Sequence, residues 1–588
     1  MISKWNYLPL TDDMKQIKEQ LSSELGISPV ICELLALRGV RNAADAQNFF
    51  YPQLSDLHDP FLMDGMDKAV KRLDSAIGQK EKILVYGDYD VDGTTAVALV
   101  YKYLRPFCFG MEYYIPDRYE EGYGISRKSI DYAADNGFKL IIALDCGIKA
   151  VDKVAYAKSK GIDFIICDHH VPDKELPAAV AILNPKLKDS SYPYPELSGC
   201  GVGFKFMQGF ARNNGIDEAA TLYPLLDFVA LSIASDIVPI TGENRILAYH
   251  GLKRMNEKPS FGLKGIINIC GLQNRQITTT DIVFKIGPRI NASGRMEQGK
   301  EAVDLLLSHN LEEAKERSKN INQYNEERKA LDKSITHEAN TILDSIDDFD
   351  KRKSIVIYNR DWKRGIIGIV ASRLTELYYK PSVVLAFSNG IVTGSARSVQ
   401  GFDVYKAIES CKDLLESFGG HTYAAGLSLK EENVDIFRKR FEEYVSENIS
   451  NSQTTPQIDI DSVISFGDIT ADFRKKLQEF APFGPGNAKP VFATHNVKTY
   501  KESKLVGKEN RHIKMEMIDN GSASIMSGIA FGKSDIFESI KTDTPFDICY
   551  TIEEMTFNNK TPHYTNKKSI MQLSIKDIVT DTNDNCSD

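Results

Sequence analysis

The sequence predicts an α/β protein in which two α/β lobes are joined by a long helix and followed by a small β-barrel. Short β-branched runs alternate with amphipathic segments from about residue 80 to 240, and again from 354 to about 450. Such alternation is typical of an open, largely parallel sheet covered by helices. A charged segment without glycine or proline separates the two regions, and short strand-like runs dominate the chain after residue 457.

The order of these segments predicts the domain organisation. The charged segment has apolar residues at helical spacing and is predicted to form one connecting helix. The predicted parts are an N-terminal helical cap (1–60), the first lobe (61–305), the connecting helix (306–345), the second lobe (346–450), the barrel (457–580) and a tail expected to be disordered (581–588).

Composition limits the class of protein. The chain has 588 residues, of which 42% are hydrophobic and 26% charged, as in globular proteins of several domains. No apolar run reaches the ~20 residues of a membrane span and the N-terminus lacks the apolar stretch of a signal peptide, so we expect a cytoplasmic protein. Nine cysteines without a CxxC pair argue against a disulfide framework and against a zinc site.

The net charge of −9 does not by itself suggest a nucleic-acid-binding protein, because such proteins usually carry a basic surface. Carboxylates that hold divalent cations count as negative charge in the sequence, although the bound cation neutralises them. A basic groove can also be local. The acidic balance therefore does not exclude a nucleic-acid substrate.

Acidic residues follow three predicted strands of the first lobe. KILVYG runs into Asp88, Asp90 and Asp92, KLIIAL into Asp145, and FIIC into Asp168-His169-His170. The carboxyl ends of parallel strands lie at one edge of a sheet, so we expect these side chains to converge. Asp236 follows a predicted helix, LLDFVALSIAS, whose end can place it in the same crevice.

Carboxylates at such short separation repel each other and take up protons unless cations lie between them. Oxygen ligands with one or two imidazoles suit Mn²⁺ or Mg²⁺, and two such ions ~3.5 to 4 Å apart can hold the attacking and leaving oxygens of a displacement at phosphorus. Two simpler alternatives are a calcium loop, which Leu99 in place of a glutamate disfavours, and helix N-caps. The coincidence of three acid-tipped strands favours a two-metal phosphodiesterase.

Several motifs resemble the DHH phosphoesterase superfamily, which is named for the triplet found here as Asp168-His169-His170. The match extends through GDYDVDG, LDCG and SDIVP. Further motifs occur in the order found in the single-strand-specific exonucleases of that superfamily: IPDRYEEGYG, LSGCGVGFK, GPRINASGRM, GIIGIVASR, GSARS and GGHTYAAG. The resemblance covers nearly the whole chain and implies a first lobe of DHH type, a second of DHHA1 type and a C-terminal OB-fold.

The resemblance also implies roles in the acidic cluster. The expected ligands are divided between two ions, Asp90 and Asp145 for one, and Asp92, Asp145, His169 and Asp236 for the other. Asp88 is expected to be a ligand or to lie directly behind one. His170 is expected to contact the scissile phosphate, either to bind it or as a catalytic acid/base group. Asp168 is expected to orient His169, because metal-bound imidazoles usually donate their second N–H to an oxygen.

The segment GPRINASGRM is assigned by the resemblance to the scissile phosphate. It contains Arg289, Asn291 and Arg295, and a guanidinium can hold a phosphate with two parallel hydrogen bonds. We favour Arg289 for this contact. The alternative is a surface arginine paired with one of the many acidic residues.

A second set of residues is expected to hold the 5′-terminal phosphate. Ser395 and Arg397 lie in a predicted glycine-rich turn after GIVT, where a hydroxyl, backbone N–H groups and a cation can surround a phosphate. The resemblance implies that Arg118 assists them. His421 either helps to bind substrate or is a structural histidine at a glycine turn.

The barrel is expected to bind single-stranded DNA, because OB-folds do so through a basic groove and aromatic platforms. The candidate residues are Phe483, Lys508, Arg511, His512 and Lys514. The alternative for Phe483 is a place in the barrel core.

These expectations combine in a metal-dependent 5′-to-3′ exonuclease that hydrolyses single-stranded DNA to mononucleotides in DNA recombination and repair. A single-strand binding protein and a helicase are the expected partners of a monomeric enzyme. One alternative is a phosphodiesterase for oligoribonucleotides or cyclic dinucleotides, which the additional barrel disfavours. Another is an inactive scaffold, which the presence of every expected ligand disfavours.

Overall fold

The computed structural model describes residues 3–501, 503–522, 524–541, 544–558 and 567–580. Two compact units are present. One consists of residues 1–52, 455–483 and 487–588, and the other of residues 53–454 and 484–486. The expected disordered tail, 581–588, lies outside the described residues. The larger unit is therefore inserted, along the chain, between two parts of the smaller one.

The N-terminal segment begins with a strand, β1 (Lys4–Tyr7), and continues as three helices: α1 (Asp12–Leu25), α2 (Pro29–Leu37) and α3 (Ala43–Phe50). The Thr11 hydroxyl accepts a hydrogen bond from the Met14 N–H and caps the first helix. Apolar residues of these helices share one core cluster with the barrel. The expected cap of residues 1–60 is thus divided, because residues 1–52 belong to the barrel unit and residues 53–60 to the larger unit.

The first lobe contains a five-stranded parallel sheet in the order β3-β2-β4-β5-β6. Its strands are β2 (Lys82–Gly87), β3 (Met111–Tyr114), β4 (Phe138–Leu144), β5 (Asp163–Cys167) and β6 (Ala181–Leu183). The helices of this part are α4 (Met66–Gly78), α5 (Val91–Leu104), α6 (Arg127–Asp135), α7 (Val151–Ser159) and α8 (Gly199–Asn213). The central strands are buried almost throughout, as expected for a sheet covered on both faces.

A helical layer completes the lobe. Its members are α9 (Glu218–Thr221), α10 (Leu226–Ser235), α11 (Gly242–Glu257), α12 (Phe261–Ile269), α13 (Thr279–Asp281), α14 (Gly287–Met296) and α15 (Lys300–Leu306). A π-helical turn, Ile282–Ile286, lies directly before α14. Within the described residues, Glu218–Ser235 is apolar enough to span a membrane by composition, but 61% of it is buried inside the protein, which is typical of a core helix.

The connecting helix is confirmed as α16 (Leu311–Asp344), capped by the Asn310 side chain. The second lobe follows with the mixed sheet β10-β11-β9-β8-β7, in which only the β7–β8 pair is parallel. Its strands are β7 (Ile355–Asn359), β8 (Ser382–Ser388), β9 (Ile391–Arg397), β10 (Leu415–His421) and β11 (Ala424–Leu429), and its helices are α17 (Arg364–Tyr378), α18 (Val404–Glu409) and α19 (Val434–Asn448).

The C-terminal part forms the predicted barrel. The strands are β12 (Gln457–Ile460), β13 (Ser462–Val463), β14 (Phe492–Thr499), β15 (Lys504–Val506), β16 (His512–Asp519), β17 (Ile525–Ala530), β18 (Phe546–Asn558) and β19 (Lys567–Thr580), with one helix, α20 (Ala471–Gln478). Five strands pair in the order β14-β18-β19-β17-β16, and pairing of β14 with β16 closes the barrel. The predicted fold class is confirmed.

Candidate active site

The ends of three neighbouring strands carry the acidic residues that the sequence singled out. Asp88 follows β2, Asp145 follows β4 and Asp168 follows β5, and these strands are adjacent in the sheet. Asp90 caps helix α5, because its Oδ1 accepts a hydrogen bond of 3.0 Å from the Gly93 N–H. The N-cap alternative therefore holds for Asp90 alongside its place in the acidic cluster.

Three carboxylates converge on one imidazole nitrogen. Nε2 of His169 lies 3.2 Å from Oδ1 of Asp145, 3.6 Å from Oδ2 of Asp236 and 3.7 Å from Oδ2 of Asp92. Asp92, Asp145 and His169 are buried. A second group of potential ligand atoms within 4.8 Å of one another combines Asp145 and His169 with His170. The structure thus brings together the residues that the resemblance assigns to one ion, with Asp145 and His169 common to both groups.

Helices α8 and α10 fix the Asp92 carboxylate. It accepts hydrogen bonds of 2.7 Å from the N–H groups of Gly199 and Cys200, at the N-terminus of α8, and one of 2.7 Å from the Ser232 hydroxyl. A helix N-terminus favours a bound carboxylate. A Cβ atom at Gly199 would lie 2.6 Å from Oδ1 of Asp145, so only glycine fits here. Sequence reasoning gave these residues no role, although they fall in the LSGCGVGFK and LLDFVALSIAS segments.

Asp145 is held in an unusual conformation. Its φ of +57° lies in the left-handed region, which is uncommon for a residue other than glycine and is found most often where function requires it. Among the described residues, its Oδ1 is buried without a hydrogen-bond partner, and so are both ring nitrogens of His169. Unpaired buried polar atoms are costly, so these atoms are suited to a ligand.

Burial and mutual repulsion raise the pKa of four carboxyls of the cluster, those of Asp88, Asp90, Asp145 and Asp236. The pKa of Asp236 rises to about 9, first because of burial and then because of Asp92 and Asp90. Burial raises the pKa of Asp145, of Asp90 and of Asp88 as well, and neighbouring carboxylates add to each shift. The backbone N–H groups of Tyr89 and Gly124 partly offset the shift at Asp88. Hard oxygen donors with a neutral imidazole fit Mn²⁺ or Mg²⁺, which would remove the repulsion.

Asp168 contacts His170 rather than the ring of His169, contrary to the expectation. Oδ1 of Asp168 lies 2.7 Å from Nδ1 of His170 and also accepts the His169 backbone N–H at 2.8 Å. The Ile148 N–H donates to its other oxygen. The reason is local: the carboxylate turns back over the next two residues of the same loop, where the backbone amides are available. Asp168 therefore positions His170 directly and His169 only through its backbone.

Tyr123, which sequence reasoning did not single out, lies on the other side of His170. Its hydroxyl is 3.1 Å from Nε2 of His170. Burial tends to lower the pKa of His170, but the hydrogen bond and charge of Asp168 outweigh it, and the net shift is upward. The imidazole is thus held from both nitrogens. Tyr123 belongs to the IPDRYEEGYG segment, and that motif was the available signal.

Ser395 and Arg397 lie on strand β9, not in a turn as predicted. The alternation of a strand places both on one face, where Nη1 of Arg397 donates to the Ser395 hydroxyl at 3.1 Å. Helix α17 faces them: a Cβ at Gly368 would lie 2.9 Å from the Ser395 oxygen and 3.4 Å from the Arg397 guanidinium. The glycine content of GIVTGSA, which suggested a turn, instead reflects close packing, since a Cβ at Gly394 would lie 2.5 Å from Leu385.

Further guanidiniums gather near this face. Arg295 donates to the Gly365 carbonyl at 2.8 Å, and burial together with Arg118 lowers its pKa to about 9. Burial and Arg118 also lower the pKa of Arg397. Arg118 itself lies over the Tyr89 ring at 4.8 Å. Buried like charges of this kind are suited to an anion such as phosphate.

The remaining predicted substrate residues have separate surroundings. Oδ1 of Asn291 accepts the Val91 N–H at 3.1 Å and so supports the loop that carries the acids. Arg289 donates instead to Oδ1 of Asn322 and to the Lys285 carbonyl, on the side of α16. His421 ends strand β10 and lines a cavity of about 600 Å³ together with His170.

The barrel residues that were predicted to bind DNA have different surroundings. Phe483 packs against the core cluster, as its alternative interpretation expected. Arg511 forms an ion pair with Glu509, while Lys508 and Lys514 are exposed. Sequence reasoning missed Phe531, which is 55% exposed directly after β17 and has its ring 5.1 Å from that of His512.

The fold and the acidic cluster define a phosphoesterase of the DHH type. Residues 82–233 match the DHH family, N-terminal domain, residues 352–447 the DHHA1 domain, and residues 460–567 the RecJ OB domain. The single-stranded-DNA-specific exonuclease RecJ of Bacillus subtilis is 36% identical over 97% of this chain and 70% of its own length. The Escherichia coli protein of that name is 33% identical over 88% and 91%. The chain belongs to the RecJ family of single-stranded-DNA-specific exonucleases.

Solved structures agree with this assignment. RecJ from Thermus thermophilus in complex with Mn²⁺ has the same fold, with a TM-score of 0.82 over 98% of this chain and 79% of that one at 23% identity. An exonuclease RecJ bound to manganese is 28% identical, with a TM-score of 0.58 over 68% of this chain and 98% of that one.

Proposed function

We propose that the protein is a metal-dependent exonuclease that degrades single-stranded DNA from the 5′ end to mononucleotides, in DNA recombination and repair. The observation that carries the proposal is the convergence of Asp92, Asp145 and Asp236 on Nε2 of His169 within 3.7 Å. Membership of the RecJ family supports the single-stranded substrate.

The metal-binding residues proposed are Asp90 and Asp145 for one ion, and Asp92, Asp145, His169 and Asp236 for the other. Asp88, which is buried, is proposed as a further ligand or as a residue directly behind one. Two Mn²⁺ or Mg²⁺ ions would activate water and stabilise charge at the phosphorus. The orphaned oxygen of Asp145 and the unpaired ring of His169 support this set.

His170 is proposed to contact the scissile phosphate. Asp168 holds its Nδ1 and favours a proton on the imidazole, so that the ring carries a positive charge suited to a phosphate anion. The Tyr123 hydroxyl restrains the orientation of the ring at Nε2. His170 is thus proposed to supply positive charge beside the carboxylate cluster.

The end specificity is proposed to reside in Ser395, Arg397 and Arg118, with Arg295 behind them. Buried guanidiniums with lowered pKa values gain most from a dianionic terminal phosphate. Gly368 allows α17 to approach Ser395 closely, and Gly365 allows the start of this helix to approach Tyr119 and the Arg295 carbonyl. A chain end held at a fixed distance from the ions would be cut one nucleotide at a time.

Exposed groups of the barrel, Lys508, Lys514 and Phe531, are proposed to hold the strand by charge and stacking. We further propose a monomer that acts in the cytoplasm with a single-strand binding protein and a helicase, as family membership suggests. Sedimentation of the protein alone and co-purification with each candidate partner would test this part separately.

The test of the activity is digestion of 5′- and 3′-labelled single and double strands with Mn²⁺. The single strand is expected to lose its 5′ label first as a mononucleotide, and Asp145→Ala to abolish the reaction. Asp173→Ala, an exposed acid of the same lobe, is the control. Equal rates on both substrates, or activity that survives Asp145→Ala, would contradict the proposal.

The test of the 5′ anchor is Arg397→Ala, which is expected to reduce the preference for a 5′-phosphorylated end. Arg440→Ala removes an exposed arginine of the same lobe, paired with Asp413, and serves as the control. An unchanged preference in Arg397→Ala would place the anchor elsewhere.

A further inference from the structure

A second cavity, of about 660 Å³, lies along helix α16 and contains none of the proposed metal ligands. It is bounded by α16, by the π-helical turn before α14, and by Arg373 of α17. Every charged side chain that lines it is basic: Arg289, Arg328, Lys329, Lys333, His337 and Arg373. The cavity therefore concentrates positive charge in a protein whose net charge is −9.

Part of this charge is not neutralised. Arg373 forms two hydrogen bonds with buried Asp332, and Lys329 is 3.0 Å from Glu326. Lys333 is exposed, and within the described part of the chain no carboxylate lies within ion-pairing distance of it. Nε of Arg328 is buried, and the residues that the structure describes offer it no hydrogen-bond partner. Lys333 and Arg328 are thus two cations of the cavity lining that can bind an anion.

An aromatic ring stands beside these cations. Phe284 is 74% exposed, the most exposed of the large hydrophobic residues described. It lies on the π-helical turn Ile282–Ile286, and such turns are rare and occur frequently at functional sites. An open ring next to a cationic surface is the arrangement on which nucleobases stack.

The floor of the cavity carries an unsatisfied amide. Asn325 is completely buried, and neither its Nδ2 nor its Oδ1 has a hydrogen-bond partner in the described part of the chain. Leaving such a group unpaired costs about 1–3 kcal/mol per buried donor or acceptor. A side-chain amide offers one donor group and one acceptor, which is the pattern that matches a nucleobase edge.

We propose that this cavity is a nucleotide-binding site, with a base on Phe284, a phosphate at Arg328 and Lys333, and Asn325 available to a base edge. The proposal rests on the proposed function, because it places a nucleic-acid component beside the 5′-phosphate residues. Arg328 is near enough to Arg295 to contribute to the lowering of its pKa, so the two basic regions are neighbours. The nucleotide is either part of the substrate strand or a free mononucleotide.

The test measures binding by the full chain in EDTA, so that no strand is cut. The probes are a fluorescent 5′-phosphorylated oligonucleotide, dAMP, inorganic phosphate and polyglutamate. Phe284→Ala is compared with Phe109→Ala, which removes a ring that is 73% exposed elsewhere on the lobe, and Lys333→Ala with Lys319→Ala, an exposed lysine of α16 outside the cavity.

A strand nucleotide in the cavity predicts about tenfold weaker oligonucleotide binding in Phe284→Ala. In Lys333→Ala the slope of the logarithm of the binding constant against the logarithm of the salt concentration should become shallower by about 0.7, because one phosphate contact is lost. If the cavity instead holds a free mononucleotide, the two variants should bind dAMP more weakly and bind the oligonucleotide as the unmodified protein does. Either pattern supports the site, provided that both controls bind as the unmodified protein does.

Three outcomes would overturn the proposal. In the first, both variants bind oligonucleotide and dAMP as tightly as the unmodified protein. In the second, Lys333→Ala weakens the binding of inorganic phosphate alone and Phe284→Ala changes no affinity. In the third, polyglutamate is the one probe whose binding is weakened. Hydrolysis of a 5′-phosphorylated dinucleotide with Mn²⁺, which needs only the anchor and the carboxylates, should be unchanged in both variants. Because binding is measured without catalysis, failure of this site is distinguishable from failure of the nuclease assignment.

Discussion

The carboxylate cluster around His169 and the guanidinium cluster formed by Arg118, Arg295 and Arg397 are the same physical arrangement with charges of opposite sign. In the first, burial and like charge raise the pKa of Asp145 and bring that of Asp236 to about 9. In the second, burial and like charge lower the pKa of Arg397 and bring that of Arg295 to about 9. Each cluster weakens the unliganded fold and gains from a ligand of opposite charge, a divalent cation in one case and a phosphate in the other.

The largest effect is expected from filling the space beside Asp145. Gly199→Ala places a Cβ within 2.6 Å of that side chain and disturbs the N–H donors to Asp92, so nuclease activity should fall about 100-fold or more. Gly203→Ala on the same helix is the control, because its Cβ would have ordinary contacts of 3.4 Å. The measurement is initial rate on a labelled single strand. Similar rates in the two variants would contradict the role given to the α8 N-terminus.

The stability of the protein is expected to depend on pH and on bound metal. An aspartate whose folded pKa is raised contributes stability at low pH and loses it as the pH rises from its ordinary value of 3.8 towards about 9 for Asp236. The metal-free protein should therefore lose unfolding free energy between about pH 5 and pH 9. Mn²⁺ at about 100 times its Kd at about pH 8 should add about 2.7 kcal/mol at that pH, and the same Mn²⁺ concentration should add less at about pH 6, where protons compete for the ligands.

Thermal unfolding with and without Mn²⁺ at both pH values checks this. Asp236→Asn keeps the shape of the side chain without its charge, so the metal-free variant should show a weaker loss with pH. An equal gain from Mn²⁺ at both pH values would mean that the cluster is already ionised without metal.

A smaller effect is expected in the guanidinium cluster. Gly368→Ala places a Cβ 2.9 Å from the Ser395 hydroxyl and should raise KM for 5′-phosphorylated strands about tenfold, with little change in kcat. Gly426→Ala, on the neighbouring strand with its nearest contact at 3.9 Å, is the control. Steady-state kinetics with and without the 5′-phosphate separates anchor loss from general damage.

The smallest effect is expected from Tyr123→Phe. The change removes the hydroxyl 3.1 Å from Nε2 of His170 but keeps the ring, so kcat should fall about three- to tenfold. The pH–rate profile should shift as well, since His170 loses one of its two partners. Tyr156→Phe, whose hydroxyl bonds to Asp131 on the surface, is the control. A lower rate with an unchanged profile would point to packing rather than to His170.

The sequence was sufficient for the positions of Asp88, Asp145 and Asp168, because the edge of a parallel sheet follows from strand order and alternation alone. The partner of Asp168 was not predictable. Whether a carboxylate turns to the ring of His169 or of His170 depends on a rotamer that the surrounding backbone selects. The strand position of Ser395 and Arg397 was not predicted for another reason. The glycines beside them are compatible both with a turn and with a closely packed strand, and the sequence does not distinguish the two.

The N-terminal segment shows the limit of local pattern. Its helical spacing predicted helices correctly, but nothing in the spacing of apolar residues near Leu21 or Leu34 says which surface covers them. That information lies in strands more than 400 residues away, because Lys4–Tyr7 pairs in parallel with Gln457–Ile460. Long-range pairing of this kind is a property of the whole chain.

This pairing sets an order of events during synthesis. At about 5–20 residues per second, the ribosome needs roughly 20–90 seconds after finishing β1 before β12 emerges. The inserted unit can fold within that interval, while the first 52 residues, with the apolar faces of α1 to α3 uncovered, have no barrel to pack on. The beginning of the protein, although synthesised first, therefore reaches its native contacts only after the C-terminal part has been made.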